Sequence, residues 1–226
     1  MPGQMVEFAS NGAKAQGYLA APASGSGPAV IVIQEWWGLV EHIKDVADRF
    51  AAAGFVALAP DLYHGESTQK PDDAGRLMMA LDIERAAREL DGAVEYLLAR
   101  PGVVVRKVGV VGFCMGGQLA LAAACRSPSV GAAVDFYGVH PNVKLDFAKL
   151  GAPVLALFAA RDAFVSPEVA RKLERDVRST GKAIEVHIYP GADHAFFNDT
   201  RADVFNREAA TDAWNRTTQF FRRHLH

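Results

Sequence analysis

Six short segments of the chain are apolar at successive positions rather than at alternate ones. This pattern is typical of strands that helices cover on both faces, because both faces of such a strand are buried. It predicts six buried parallel strands, at Ala29–Ile33, Phe55–Leu58, Val108–Gly112, Ala132–Tyr137, Val154–Ala159 and Ile184–Tyr189.

Longer amphipathic stretches separate these segments and carry apolar residues at helical spacing. The predicted helices are His42–Ala53, Asp72–Arg100 with a break, Cys114–Arg126, Pro167–Thr180 and Val204–His224. Strands that alternate with helices are typical of a doubly wound, mostly parallel α/β sheet with helices on both faces. No shift in composition marks a boundary, so we predict a single domain over residues 1–226.

The start of the chain predicts a different local structure. The segments Val6–Phe8 and Lys14–Leu19 alternate in polarity and flank the pair Asn11-Gly12. Such a pair joins antiparallel strands readily, because both residues tolerate positive φ. We therefore expect an N-terminal antiparallel hairpin at the edge of the sheet.

Charge and composition exclude several classes of protein. The 226 residues include 24 basic and 26 acidic side chains, so the formal net charge is −2. The chain therefore lacks the excess of basic residues that is typical of a nucleic-acid-binding protein. No apolar run approaches the roughly 20 residues that a membrane-spanning helix needs, and the N-terminus does not resemble a secretory signal. Two cysteines, Cys114 and Cys125, fit a reducing compartment. We expect a cytoplasmic protein that binds neither nucleic acid nor membrane, as a monomer or a small homo-oligomer.

The candidate nucleophile is Cys114, within the sequence Gly112-Phe113-Cys114-Met115-Gly116 after a predicted strand. This Gly-x-Cys-x-Gly spacing is that of a nucleophile elbow with cysteine in place of serine. The sharp turn needs both glycines, because side chains there would collide. It sets the thiol at a helix N-terminus, whose dipole favours a thiolate, and leaves the Met115 N–H to face an oxyanion. The alternative is a buried structural thiol, as we expect for Cys125.

A cysteine nucleophile needs a base and a group that orients the base. In open-sheet hydrolases the chain order is nucleophile, acid, histidine, with the last two after later strands. Asp162 and His194 follow the predicted strands Val154–Ala159 and Ile184–Tyr189, so we expect both near Cys114. Asp162 alone would be an ordinary turn or capping residue, and Asp193 is a competing candidate for the acid.

A carboxylate lies in the loop after the first buried strand, in the sequence Gln34-Glu35-Trp36-Trp37-Gly38. In an open sheet this loop faces the nucleophile and usually provides the second oxyanion donor, here the Trp36 N–H. Glu35 would hydrogen-bond the neutral thiol or compete for the imidazolium, and so could hold the resting enzyme inactive. The alternative is that Glu35 caps the next helix or pairs with a nearby base.

These segments together resemble the dienelactone hydrolase family, the carboxymethylenebutenolidases. The resemblance runs over nearly the whole chain and is carried by Gln34–Gly38, Gly112–Gly117, the Asp162 segment and Gly191–Phe196. It implies an α/β-hydrolase fold, a triad of Cys114, His194 and Asp162, and an oxyanion hole from the N–H groups of Trp36 and Met115. It also implies that Glu35 binds the resting thiol and moves when substrate arrives, and that no metal or organic cofactor takes part.

The chain departs from this family where the substrate is held. Members that cleave dienelactone clamp its carboxylate with two arginines, one of them four residues after the catalytic histidine, where this chain has Asn198. No arginine occupies the second position near Pro71–Asp73, although Arg76 and Arg201 lie close enough to substitute. Because arginine is the usual partner of a carboxylate, we expect an uncharged or bulkier substrate. The aromatic residues predicted to line its pocket are Trp37, Phe136, Tyr137 and Phe196.

The sequence thus predicts a cysteine-dependent hydrolase that cleaves a small ester or lactone through an acyl-enzyme on Cys114. Two alternatives stay open. One is a carboxylesterase or thioesterase of broad specificity, and the other is a hydrolase-like domain that binds a small molecule without catalysis.

Overall fold

A computed structural model describes residues 2–10 and 12–225, which form an eight-stranded sheet. The strands are β1 (Gln4–Ser10), β2 (Ala13–Ala20), β3 (Ala29–Ile33), β4 (Val56–Pro60), β5 (Val108–Phe113), β6 (Val130–Phe136), β7 (Val154–Ala159) and β8 (Ile184–Tyr189). Their spatial order is β1-β2-β4-β3-β5-β6-β7-β8. In this spatial order, each pair of neighbouring strands from β4 through β3 to β8 is parallel, whereas β2 pairs antiparallel with both β1 and β4.

Six helices accompany the strands within the described residues, and the last of them follows β8. They are α1 (Glu41–Ala52), α2 (Pro71–Ala80), α3 (Ile83–Leu98), α4 (Met115–Arg126), α5 (Pro167–Ser179) and α6 (Arg207–His224), with a short 3₁₀ turn at Phe147–Lys149. The predicted break in the long second helix falls at Leu81-Asp82, where the Asp82 carboxylate accepts a hydrogen bond from the Arg85 N–H and so caps α3. None of the helices in the described part of the chain is long and apolar enough to cross a membrane.

The helices cover the sheet on both faces, as the doubly apolar strands predict. Apolar residues of α1 and α6 pack on one face, and those of α3, α4 and α5 pack on the other. Strands β3 to β7 are buried at every position. This burial on both faces is the reason that their sequences lack polar alternation.

Strand β8 differs from its prediction as a buried strand. Only Ile184 is fully buried, and the remaining positions are partly or fully exposed, because β8 forms an edge of the sheet. The N-terminal hairpin is confirmed at the opposite edge, where Ser10 pairs with Ala13. Asn11, on which the predicted turn partly rests, lies outside the described residues, while Gly12 has a φ of +79°.

The turn between β5 and α4 brings two backbone segments into unusually close contact. A Cβ atom built on Gly112 would lie 1.9 Å from the carbonyl oxygen of Gly116, and one built on Gly116 would lie 2.4 Å from the carbonyl oxygen of Gln34. Neither position therefore has room for any side chain. Gly112 lets the start of α4 lie against the end of β5, as the elbow spacing predicts, and Gly116 lets it lie against the end of β3.

We expect Gly112→Ala to lower the free energy of unfolding by about 2–3 kcal/mol or more, because the added methyl group meets rigid backbone. The matched control is Gly75→Ala in α2, where the nearest atom to the added Cβ lies 3.9 Å away. That change should stabilise the protein by up to about 1 kcal/mol, since alanine favours helix. Urea denaturation followed by circular dichroism measures both values. Equal unfolding free energies for the two variants would contradict the close approach at the elbow.

Candidate active site

Cys114 lies at the tip of the elbow in a strained backbone conformation. It is the N-terminal cap of α4, with a φ of +54° and a ψ of −122°, a region that costs a residue other than glycine about 1–3 kcal/mol. Backbone hydrogen bonds hold it there: its N–H donates to the carbonyl of Phe136 at 3.0 Å, and its own carbonyl accepts from Gly117 and Val139. Strain held in this way fixes the thiol at the carboxyl edge of the sheet.

Asp162 and His194 meet at the same edge, after β7 and β8. Oδ2 of Asp162 lies 2.7 Å from Nδ1 of His194. Oδ1 of the same carboxylate accepts hydrogen bonds from the N–H groups of Phe164 and Val165, at 2.7 and 2.9 Å. Both oxygens therefore have donors, and the Asp162 side chain has no exposed surface.

Asp193, the competing acid, points elsewhere. Its carboxylate forms an ion pair of 2.6 Å with the guanidinium of Arg161 at the protein surface. The adjacent His194 turns instead to Asp162. Because residues 193 and 194 are neighbours in sequence, only the tertiary structure distinguishes the two acids.

The His194 ring interacts with the Cys114 side chain as well as with Asp162. Burial opposes a charge on the ring, but the hydrogen bonds to Asp162 and Cys114, together with their negative charges, outweigh it and raise the pKa of His194 to about 10. The ring is therefore suited to carry a proton next to the sulfur. An imidazolium beside a sulfur favours the thiolate form.

Glu35 follows β3 and is 1% exposed. Its Oε2 accepts a hydrogen bond from Nδ2 of Asn198 at 2.8 Å, and its Oε1 lies 3.5 Å from the hydroxyl of Tyr137. Among the described residues these two are the hydrogen-bond partners of its carboxylate, whereas the resemblance implies a bond to Cys114. The capping alternative does not hold either, because the N-terminal cap of α1 is Val40.

The two candidate oxyanion donors come from different segments, the start of α4 and the loop after β3. Met115 is the first residue of α4, so no carbonyl within the helix accepts its N–H. Trp36 follows Glu35 in the loop after β3, and both residues line one cavity together with Cys114. The oxyanion hole itself stays a prediction from the sequence.

The cavity over Cys114 and His194 has a volume of about 310 Å³. Its wall is mainly apolar, and Arg201 and Glu35 also contribute to it. The apolar wall is formed by Trp36, Trp37, Pro71, Met78, Val139 and Phe164. Such a cavity, with a few polar groups at one end, is typical of a small-molecule site.

The predicted pocket aromatics are only partly on this wall. Trp37 lines the cavity. Phe136 and Phe196 are instead buried below it, with exposures of 1% and 0%, in a cluster with Phe197. Tyr137 is also buried, and its ring contacts His194 at 5.0 Å between centroids. They differ from the prediction because they pack into the core that α1 and α6 cover.

The two candidate arginines have different positions. Arg76 is exposed and pairs with Asp73 on α2, whereas Arg201 lines the cavity. The Arg201 guanidinium is 6.0 Å from the centre of the Trp37 ring and 2.6 Å from the carboxylate of Asp203. Only Arg201 is placed to meet a substrate in the cavity.

Sequence reasoning missed several contributors to the site. Phe164 lies two residues after Asp162, and its position in that loop is a signal that could have indicated it. Met78 on α2 and Val139 after β6 carry no such signal, because segments distant in sequence meet at the cavity. Within the described ranges, no group of three or more histidine, cysteine, aspartate or glutamate side chains is arranged to hold a metal ion.

A mostly parallel sheet with helices on both faces and an elbow after its central strand β5 defines an α/β-hydrolase fold. The family model described as the dienelactone hydrolase family matches residues 15–225. The chain belongs to the dienelactone hydrolase family, as its motifs predict, and it is an enzyme of the ester and lactone hydrolase class.

Individual proteins resemble the chain over nearly its full length. "Protein usf" of Aquifex pyrophilus is 42% identical over 231 residues, with 99% of each chain covered. "Probable 2-oxo-3-(5-oxofuran-2-ylidene)propanoate lactonase" of a Bradyrhizobium species is 35% identical, covering 97% of this chain and 94% of the relative. A crystal structure of a "Putative Dienelactone Hydrolase" from Klebsiella pneumoniae superposes with a TM-score of 0.87 at 30% identity, covering 98% of this chain and 99% of that one.

Asp162→Asn should lower the pKa of His194 from about 10 toward its ordinary value of 6.5, because the carboxylate that stabilises the charged ring is lost. Cys114→Ala should lower it as well. The titration of the His194 ring by NMR measures each change. Asp193→Asn is the matched control and should leave the titration unchanged, since Asp193 pairs with Arg161. An equal shift in this control would contradict the pairing of His194 with Asp162.

Proposed function

We propose that this protein hydrolyses a small ester or lactone through a covalent acyl-enzyme on Cys114. The observation that carries the proposal is the position of the His194 ring, which bonds Asp162 at 2.7 Å and interacts with the thiol at the elbow. This arrangement supports the proposal, because covalent catalysis requires a nucleophile next to a base and a group that orients the base.

In the first step the Cys114 thiolate attacks the carbonyl carbon of the substrate. The carbonyl oxygen becomes an oxyanion, which the N–H groups of Trp36 and Met115 stabilise. The tetrahedral intermediate collapses as the bond to the ester oxygen breaks, and His194 gives its proton to that oxygen. The product is a thioester on Cys114, and in a lactone the new hydroxyl group stays attached to the acyl chain.

In the second step water hydrolyses the thioester. Neutral His194 accepts a proton from the water as it attacks the thioester carbonyl, and the sulfur leaves as a thiolate beside the imidazolium. The product is a carboxylic acid, and the resting charge state returns. Asp162 holds the ring through Nδ1 in both steps, which keeps the other nitrogen directed at the reacting atoms.

The cavity supports a substrate of modest size with an apolar body. Its volume of about 310 Å³ and its aromatic wall suit a small ester or lactone, and Arg201 is already paired with Asp203. These features favour an uncharged substrate. A carboxylesterase or thioesterase of broad specificity would use the same steps.

A second candidate substrate is a lactone that carries a carboxylate. The Bradyrhizobium relative is named as a lactonase for a propanoate, and Arg201 lines the cavity, where a guanidinium would pair with such a carboxylate. The reaction would be the same, and only the binding of the acyl chain would differ. A cytoplasmic location, one domain and a monomer or small homo-oligomer stay predictions from the sequence.

Cys114→Ala should reduce the turnover of an aryl ester by about 10³-fold or more, since removal of a covalent nucleophile has costs of this order. Cys125→Ala is the matched control on the same helix. Burial raises the pKa of the Cys125 thiol to about 11, so it makes little thiolate, and this variant should keep its activity. Mass spectrometry of the trapped acyl-enzyme should place the added mass on Cys114. Persistent hydrolysis by Cys114→Ala would overturn the mechanism.

A panel of ester pairs that differ only in a free or a methyl-masked carboxylate distinguishes the two candidate substrates. We expect kcat/KM to be higher for the masked member, because Arg201 is engaged by Asp203. In Arg201→Gln this preference should persist. A preference for the free carboxylate that disappears in Arg201→Gln would instead establish the carboxylate-bearing lactone.

A further inference from the structure

Glu35 is a second buried carboxylate beside the Cys114–His194 pair, and two side chains from other parts of the chain hold it. Asn198 donates Nδ2 to Oε2 at 2.8 Å, and the Tyr137 hydroxyl lies 3.5 Å from Oε1. The exposures of Glu35 and Asn198 are 1% and 2%. A buried carboxylate without such donors would be costly, so this arrangement fixes where Glu35 points.

The orientation of the Asn198 amide is itself determined by its surroundings. Its Oδ1 accepts hydrogen bonds from the N–H and the hydroxyl of Thr200, at 3.1 and 2.7 Å. The backbone N–H of Asn198 donates to Ala195, next to His194, at 2.9 Å. With its oxygen engaged by two donors, the amide can direct only its NH₂ group toward Glu35.

Tyr137 is a weaker partner that stays a donor. Burial, and then the charges of Glu35 and Cys114, raise its pKa well above the ordinary value, so the phenol keeps its proton. Its distance of 3.5 Å from Oε1 is at the limit of a hydrogen bond. Asn198 therefore provides the stronger of the two contacts that hold Glu35.

The ionisable groups around Cys114 and His194 determine which carboxylate could approach the sulfur if Glu35 lost its contact with Asn198. They are Glu35, Tyr63, Tyr137, Asp162 and Arg201. Asp162 is fully engaged by the His194 ring and by two N–H groups. Glu35 is thus the carboxylate that could turn to the sulfur, where its negative charge would disfavour the thiolate.

We infer that Asn198 is a positioning residue for Glu35, which holds the carboxylate away from the sulfur so that the thiolate forms beside His194 without competition. This inference rests on the proposed function in taking Cys114 as the nucleophile. Asn198 acts through Glu35 and touches neither the substrate nor the reacting atoms. The contact between Asn198 and Glu35 then keeps the site ready to react.

The test measures alkylation of Cys114 by iodoacetamide as a function of pH, with the labelled peptide identified by mass spectrometry. Asn198→Leu removes the hydrogen-bond donor but keeps a side chain of similar shape. We expect Glu35 then to turn to the thiol. We expect the midpoint of the pH profile to rise by about one unit, so alkylation below that midpoint slows by about tenfold. Thr200→Val removes one of the two donors that orient the amide and should produce a smaller change in the same direction.

The same Asn198→Leu change in a Glu35→Gln background separates positioning from a structural role. Without the carboxylate charge there is nothing to reposition, so the double variant should alkylate like Glu35→Gln alone. Asn215→Leu, at an exposed position of α6, is the control for the substitution itself and should match the unaltered protein. Circular dichroism at each pH verifies that the variants are folded.

An unchanged or faster alkylation profile in Asn198→Leu would overturn the inference, as would a shift of equal size in the Glu35→Gln background. If Asn198→Leu does not fold, the alkylation profile of Thr200→Val tests the inference instead, and an unchanged profile in that variant would overturn it. Labelling needs no substrate, so it is independent of ester hydrolysis. Failure of the unaltered protein to hydrolyse any ester would refute the proposed function, whereas an unshifted alkylation profile refutes only the role of Asn198.

Discussion

The close approach of Gly112 to Gly116 is the constraint on which the site depends. Because neither residue has a Cβ, the start of α4 can lie against the ends of β5 and β3, and Cys114 is forced to a φ of +54° between the two glycines. That strain is tolerated because three backbone hydrogen bonds and a buried sheet surround it. A less crowded turn would let the thiol relax away from the helix N-terminus and from His194.

Two buried carboxylates lie near the thiol, and their hydrogen-bond partners differ. Asp162 faces the imidazole, with two N–H groups on its other oxygen, so its charge supports the protonated ring. Glu35 is held by Asn198 and Tyr137. In a site of low polarity the direction of each carboxylate decides whether it favours or opposes a thiolate. The hydrogen-bond donors around each carboxylate determine that direction.

Local signals in the sequence predicted most of the fold. Strands that are apolar on both faces predicted β3 to β7, because burial on two faces requires an apolar residue at nearly every position. Apolar residues at helical spacing predicted the helices. The reasoning from apolar strands located β8 but was wrong about its burial, because β8 is an edge strand. Likewise Phe136 and Phe196 are aromatic residues near the site in sequence, but the packing against α1 and α6 takes them into the core. Exposure depends on neighbours that the local pattern does not contain.

The sequence by itself determined the fold class, the elbow at Cys114 and the order of Asp162 and His194, because each depends on residues that are close together or on the ends of successive strands. Only the tertiary structure decided that Asp162 rather than Asp193 bonds His194, that Arg201 rather than Arg76 reaches the cavity, and that Asn198 holds Glu35. The last contact joins residues 163 positions apart. Such contacts arise from the arrangement of loops at one edge of the sheet, and no local periodicity specifies them.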